Sequence, residues 1–237
     1  MAMPAAPGAP APASSRRASR RSPTILFDLD GTLLDSIQLI LESARYAFRK
    51  LGRVCPPDSE WRGGIGIPLR TMFGRYARDE ADCSALIAAY REYQIPNHDR
   101  LIGTYGSARE VVERLHRRGH EIGIVTSKSE ALSYRGLARI GMARYVDTVV
   151  GCDVSARHKP DPEPVRIALQ RLNCRPDDAV FVGDSIHDVM AGNAAGVRTV
   201  AALWGAFSRG DLEPGQPTAW LTDISELEPL LESWAGG

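Results

Sequence analysis

Lysine is scarce in this chain: of 29 basic residues, only Lys50, Lys128 and Lys159 are lysines. None of them follows a glycine, so the phosphate-binding loop built on a Gly-Lys pair is excluded. Cysteine is scarce too. Cys55, Cys83, Cys152 and Cys174 form no CxxC pair and are too sparse in 237 residues to staple a fold, so they read as reduced, mostly buried thiols of a cytoplasmic protein. No apolar run approaches the roughly 18 residues of a membrane-spanning helix. Neither sign of charge prevails, with 29 basic against 29 acidic residues, so neither nucleic acid nor a membrane surface is expected as a partner. What remains, 43% apolar and 24% charged residues, is the composition of an ordinary globular protein.

Residues 1–22 stand apart. Pro4, Pro7, Pro10 and Pro12 lie among alanines, and Arg16, Arg17, Arg20 and Arg21 follow with no acidic residue. Such a segment has too little apolar surface to fold, and a disordered tail is expected. A twin-arginine export signal would need an apolar stretch after the arginines, and Asp28 cuts that stretch short.

From Thr24 onward, short apolar runs alternate with helical patterns. Strands are predicted at Thr24–Asp28, Glu121–Thr126, Tyr145–Val150, Ala179–Gly183 and Val197–Ala202, most of them too continuously apolar to have a wet face. Helices are predicted at about Ser107–Arg118, Ser129–Ile140, Pro162–Leu172 and Asp188–Ala195. The alternation implies an α/β fold with a doubly wound parallel sheet. One stretch breaks it. Between Ile37 and Leu101 only helical patterns occur, interrupted by Gly63-Gly-Ile-Gly-Ile-Pro68. A core domain of residues 23–36 and 103–237 with a helical domain of residues 37–102 inserted is therefore expected.

Ligands of open parallel sheets sit at the carboxyl ends of the strands. The polar residues placed there are Asp28, Asp30, Thr126, Ser127, Lys159, Asp184 and Asp188. A single aspartate after a strand is usually a turn former or helix cap. Four that converge repel one another unless a cation sits among them, and an all-oxygen donor set favours Mg²⁺.

The segment Phe27-Asp-Leu-Asp-Gly-Thr-Leu-Leu-Asp-Ser36 resembles the first signature of the haloacid dehalogenase superfamily, whose phosphatases carry DxDGT after the first strand. The remaining signatures follow in order: Thr126 in IVTSK, Lys159 in HKPDPEPV, and Gly183-Asp-Ser-Ile-His-Asp188. Together they imply a Mg²⁺-dependent phosphatase with a Rossmann-like core. Asp28 would attack phosphorus and form an aspartyl phosphate, splitting one hard displacement into two. Asp30, on the same side of an extended chain, would protonate the leaving oxygen and later take a proton from water. Gly31 would let the backbone approach the phosphoryl group. Thr32 would hold Asp30, and Thr126 with the Ser127 N–H would bind a phosphoryl oxygen. Lys159 would offset the negative charge. Asp184, Asp28 and the Asp30 carbonyl would hold Mg²⁺, with Asp188 behind them.

In the same superfamily an inserted helical segment caps the site and selects the leaving group, which makes Arg62 a candidate substrate contact and Arg70 a weaker one. Lys128 and His187 flank the motifs and read equally well as substrate contacts or solvated side chains. His116 and His120 lack the glutamate of a zinc motif, and no metal is expected there. Asp30 disfavours dehalogenase chemistry, which lacks that second aspartate. A phosphomutase of the β-phosphoglucomutase kind shares all four motifs. The closest resemblance is to phosphoglycolate-phosphatase-like enzymes; HKPDPEPV is also similar to a bacterial inorganic pyrophosphatase branch, and the alanine- and arginine-rich chain to phosphatases of actinomycete antibiotic pathways. The expected partner is a small phosphorylated molecule, handled by a monomer or dimer.

Overall fold

The computed structural model describes residues 22–235; the arginine-rich tail, up to residue 21, lies outside them. The central element is β1 (Thr24–Phe27), whose four residues are all buried. It lies in a six-stranded sheet with β4 (Ile122–Val125), β5 (Thr148–Val150), β6 (Ala179–Gly183), β7 (Arg198–Ala202) and β8 (Ala219–Leu221), in the order β5-β4-β1-β6-β7-β8. Every pairing is parallel.

Successive side chains of a strand point to opposite faces, and β1 divides its apolar residues accordingly. Ile25 and Phe27 join Ile122, Ile124, Val180 and Val182 under α5 (Ala108–Arg117) and α10 (Leu227–Ala235). Leu26 joins Phe181 and Val125 under α7 (Glu163–Arg171) and α8 (Ile186–Ala195). Both faces are covered, which is why the strands read as unbroken apolar runs. The chain leaves β1 toward β4 and leaves β6 toward β7, so the connections diverge between β1 and β6 and open a crevice at their carboxyl ends. Asp28 and Asp184 immediately follow those two strands.

The inserted segment holds α1 (Ile37–Lys50), α2 (Asp58–Arg62), α3 (Leu69–Gly74) and α4 (Glu80–Leu101). These helices have their own apolar cluster, in which Phe48, Trp61, Phe73 and Tyr90 meet largely edge to face. Entry and exit of the segment are clamped side by side. Strand β2 (Leu34–Asp35) pairs antiparallel with β3 (Gly103–Thr104). Between β4 and β5 lies α6 (Glu130–Arg139), and α9 (Arg209–Leu212) follows β7.

Two expectations change. The predicted strand Tyr145–Val150 is shorter, because Ala143–Tyr145 forms a turn of 3₁₀ helix and Asp147 turns its carboxylate onto the Ile122 N–H at 2.7 Å. The sheet also gains β8, too short and too close to Pro214 and Pro217 to stand out as a strand pattern.

Candidate active site

The floor of the crevice is a buried charge cluster. Lys159 Nζ lies 2.6 Å from Asp28 Oδ1, 2.5 Å from Asp188 Oδ1 and 3.2 Å from the Val125 carbonyl. One carboxylate oxygen from each of Asp28, Asp184 and Asp188 lies within 4.8 Å of the others. The cluster therefore holds three carboxylates and one ammonium. Burial pushes the Asp28 carboxyl well above its usual range, and Asp188 and Asp184 add to the effect against Lys159. Burial likewise raises Asp184, with Asp188 next in weight, to about 7. For Lys159 burial works against the charged form, but the paired Asp188 and Asp28 outweigh it and hold the ammonium charged.

Local structure explains each position. Ser185 caps α8, and Asp188 closes a capping box by accepting from the Ser185 N–H at 3.0 Å and hydroxyl at 2.6 Å. With Lys159 on its other oxygen, Asp188 is fully engaged inside the protein. Asp184 accepts from the Ala206 N–H at 2.9 Å and from Thr32 Oγ1 at 3.3 Å. Asp28 Oδ2 is buried and has no hydrogen-bond partner, which leaves a lone pair in a place where such groups are normally satisfied. An orphan carboxylate oxygen beside Asp184, among three carboxylates balanced by a single ammonium and so two positive charges short, fits a divalent cation.

Asp30 is held by partners outside this cluster. Its Oδ1 accepts from Ser36 Oγ at 2.5 Å and from Lys128 Nζ at 2.6 Å. The expected Thr32–Asp30 hydrogen bond is not formed: Thr32 donates to Asp184, and Ser36 and Lys128 hold Asp30 instead. Lys128, ambiguous in the sequence, is buried. Gly31 adopts φ +93°, and a Cβ there would come 2.3 Å from Asp184 Oδ2, so in this structure the glycine makes room for Asp184.

Asp28, Asp30, Thr126, Ser127 and Lys128 line one cavity together with Gly64–Ile67 of the inserted segment. Ser127 Oγ donates to the Gly66 carbonyl at 2.6 Å, joining the two parts of the chain. Thr126 Oγ1 accepts from the Lys128 N–H at 3.2 Å. Arg62 is exposed and absent from the lining, because Trp61 of the same short helix takes the inward place; Arg91, which the sequence reading overlooked, is there instead. Arg70 is exposed and paired with Glu80. His187 is only half-buried and does not line the cavity. His116 lies against Tyr145 with the rings tilted by 52°, and His120 meets the Pro23 carbonyl at 2.8 Å.

A family model described as haloacid dehalogenase-like hydrolase matches residues 25–202. The chain belongs to that family. As a haloacid dehalogenase-like hydrolase it is an enzyme of the phosphatase type, and its relatives cover nearly all of it. The "Pyrophosphatase PpaX" of Bacillus velezensis is 37% identical over 211 residues, 88% of this chain and 95% of that protein. A hydrolase of the same family from Streptococcus pneumoniae superposes with a TM-score of 0.80 at 25% identity, covering 88% of this chain and 97% of that one. A structure titled as a predicted phosphoglycolate phosphatase from Haemophilus somnus reaches 0.83 at 21% identity, covering 90% and 99%, and speaks for the fold alone.

Proposed function

We propose that this hydrolase is a Mg²⁺-dependent phosphatase that cleaves a small organic phosphate monoester through an aspartyl phosphate on Asp28. The observation that carries the reading is the two-sided environment of Asp28: Oδ1 is held by Lys159, while Oδ2 is buried without a partner. A carboxylate fixed by one oxygen with the other free is poised both as a nucleophile and as a cation ligand.

In this reading Asp28 attacks phosphorus in line. The leaving oxygen departs with a proton from Asp30, and Asp30 then takes a proton from the water that hydrolyses the acyl phosphate. Ser36 and Lys128 fix the Asp30 carboxyl for both transfers. Thr126 and the Ser127 N–H bind phosphoryl oxygens, and Lys159 offsets their charge. Asp28 and Asp184 would hold Mg²⁺, with the Asp30 carbonyl as the resemblance implies. When bound, the ion supplies positive charge at the transferred phosphoryl group. Residues 37–102 act as a cap over the core of residues 23–36 and 103–237. The relatives named pyrophosphatase, matched over 95% of their length, favour a second reading in which the substrate is inorganic pyrophosphate; a phosphorylated natural-product intermediate has no such support. The absence among the described residues of a helix able to cross a membrane, and four free thiols, suit a cytoplasmic enzyme.

The test is acid-quench trapping of phosphoenzyme with a panel of esters and pyrophosphate. Wild type should form an acid-stable, hydroxylamine-labile phosphoenzyme, Asp28→Asn none, and Asp30→Asn one that decays slowly. Near-normal turnover by Asp28→Asn would overturn the assignment.

A further inference from the structure

Among the described residues, one positive charge in the Asp28 cavity has no carboxylate partner. Lys159 is shared by Asp28 and Asp188, and Lys128 is paired with Asp30. Arg91, on α4, lines the same cavity, and its only hydrogen bond among the described residues is to Gln94 Oε1. Gln94 is 3% exposed and lines the cavity as well, with its amide nitrogen 3.4 Å from the Tyr90 hydroxyl. The guanidinium is held by this amide and by no carboxylate.

Its field reaches the core. Burial and then Asp153 raise the Cys152 thiol, and Arg91 opposes them. The Cys152 N–H in turn bonds the Lys128 carbonyl at 3.0 Å, and Thr126, Ser127 and Lys128 line the same cavity as Arg91. Much of the remaining wall is apolar: Ile40, Trp61, Ile65, Ile67, Leu69 and Met72. A half-buried arginine against such walls is weakly hydrated, and its planar fork matches a carboxylate or phosphate.

We propose that Arg91, oriented by Gln94, binds an anionic group on the leaving-group side of the substrate, so that the enzyme acts on small phosphates whose leaving group is itself an anion. This rests on the phosphatase reading above. That reading assigns the transferred phosphoryl group to Asp28, Thr126 and Lys159 on the sheet, whereas Arg91 comes from the inserted helices and meets the part of the substrate that varies. The anion is a carboxylate or a second phosphate; both use the same fork.

The experiment compares kcat/KM for 2-phosphoglycolate, inorganic pyrophosphate and, as a comparator whose leaving group is uncharged, 2-hydroxyethyl phosphate in wild type, Arg91→Met and Arg91→Lys. A hydrogen-bonded charge pair in a cavity is worth roughly a 10- to 100-fold change. Arg91→Met should lose that much on its charged substrate and stay within about threefold on the comparator, with Arg91→Lys recovering part. The charged substrate that suffers more identifies the anion. Equal losses on all three, or no loss on either charged substrate, overturn the assignment. Calorimetry with sulfoacetate and 2-hydroxyethanesulfonate, which cannot be dephosphorylated, separates the two levels. A wild type inert on every phosphate but with an Arg91-dependent preference for sulfoacetate sinks the phosphatase reading and keeps this site. An active wild type that shows no such preference sinks this site and keeps the phosphatase. If Arg91→Met does not fold, Arg91→Lys gives the same comparison with smaller losses.

Discussion

Lys128 places its ammonium 2.6 Å from Asp30 Oδ1, and both side chains are largely withdrawn from solvent. Lys159 pairs instead with Asp28 and Asp188, so the two lysines hold separate carboxylates. Lys128→Met should leave Asp30 with Ser36 alone and slow turnover about tenfold or more on every substrate, whatever the leaving group's charge. Stopped-flow measurement of phosphoenzyme formation and decay checks this. Unchanged rates for both steps would make Lys128 peripheral to proton transfer.

Lys159 tests whether positive charge alone suffices. Its ammonium meets three oxygens in a site enclosed on all sides, which a compact donor can satisfy and a planar fork cannot. Lys159→Arg should therefore lose about 100-fold in kcat. Lys159→Ala should in addition destabilise the metal-free protein by about 3–5 kcal/mol, since breaking a buried pair strands its partners. Denaturant titration beside kinetics reads both, and a silent Lys159→Arg would contradict the enclosed geometry.

Metal dependence is the outcome expected from the orphan Asp28 oxygen and its neighbour Asp184. Exhaustive chelation should abolish activity, and added Mg²⁺ should restore it. Calorimetric Mg²⁺ affinity should fall at least about tenfold in Asp184→Ala, which removes a carboxylate ligand. Full activity after chelation is the result that would refute a metal-dependent step.

Gly31 is expected to tolerate no side chain. A non-glycine residue at φ +93° costs about 1–2 kcal/mol, and its Cβ would overlap the Asp184 carboxylate. Gly31→Ala should lower both thermal stability and Mg²⁺ affinity. A loss of stability with unaltered Mg²⁺ binding would show that Asp184 is free to move aside.

Much of the core was legible in residue order. A strand buried on both faces must be apolar throughout, so β1, β4, β6 and β7 announce themselves within a residue or two. Asp28, Thr126 and Asp184 directly follow strands, where a parallel sheet gathers its polar groups, and Asp188 lies in the first turn of α8; Lys159, expected just beyond a strand, comes nine residues after β5. The break at Ile37–Leu101 was visible because helical periodicity runs there without an intervening strand. Pairing across distance was not legible. Whether the Thr32 hydroxyl meets Asp30 or Asp184 depends on how the turn after β1 closes against β6, and 152 positions separate Thr32 from Asp184. Lys128 reads as a solvated or substrate-facing lysine until folding brings it to Asp30, and Arg62 and Arg91 look alike until helix packing turns Trp61 inward and leaves Arg91 on the cavity wall. Local pattern is set by short-range sterics and burial, which residue order encodes directly. The partner of a polar side chain is set by which elements pack together, and only the tertiary structure decides that.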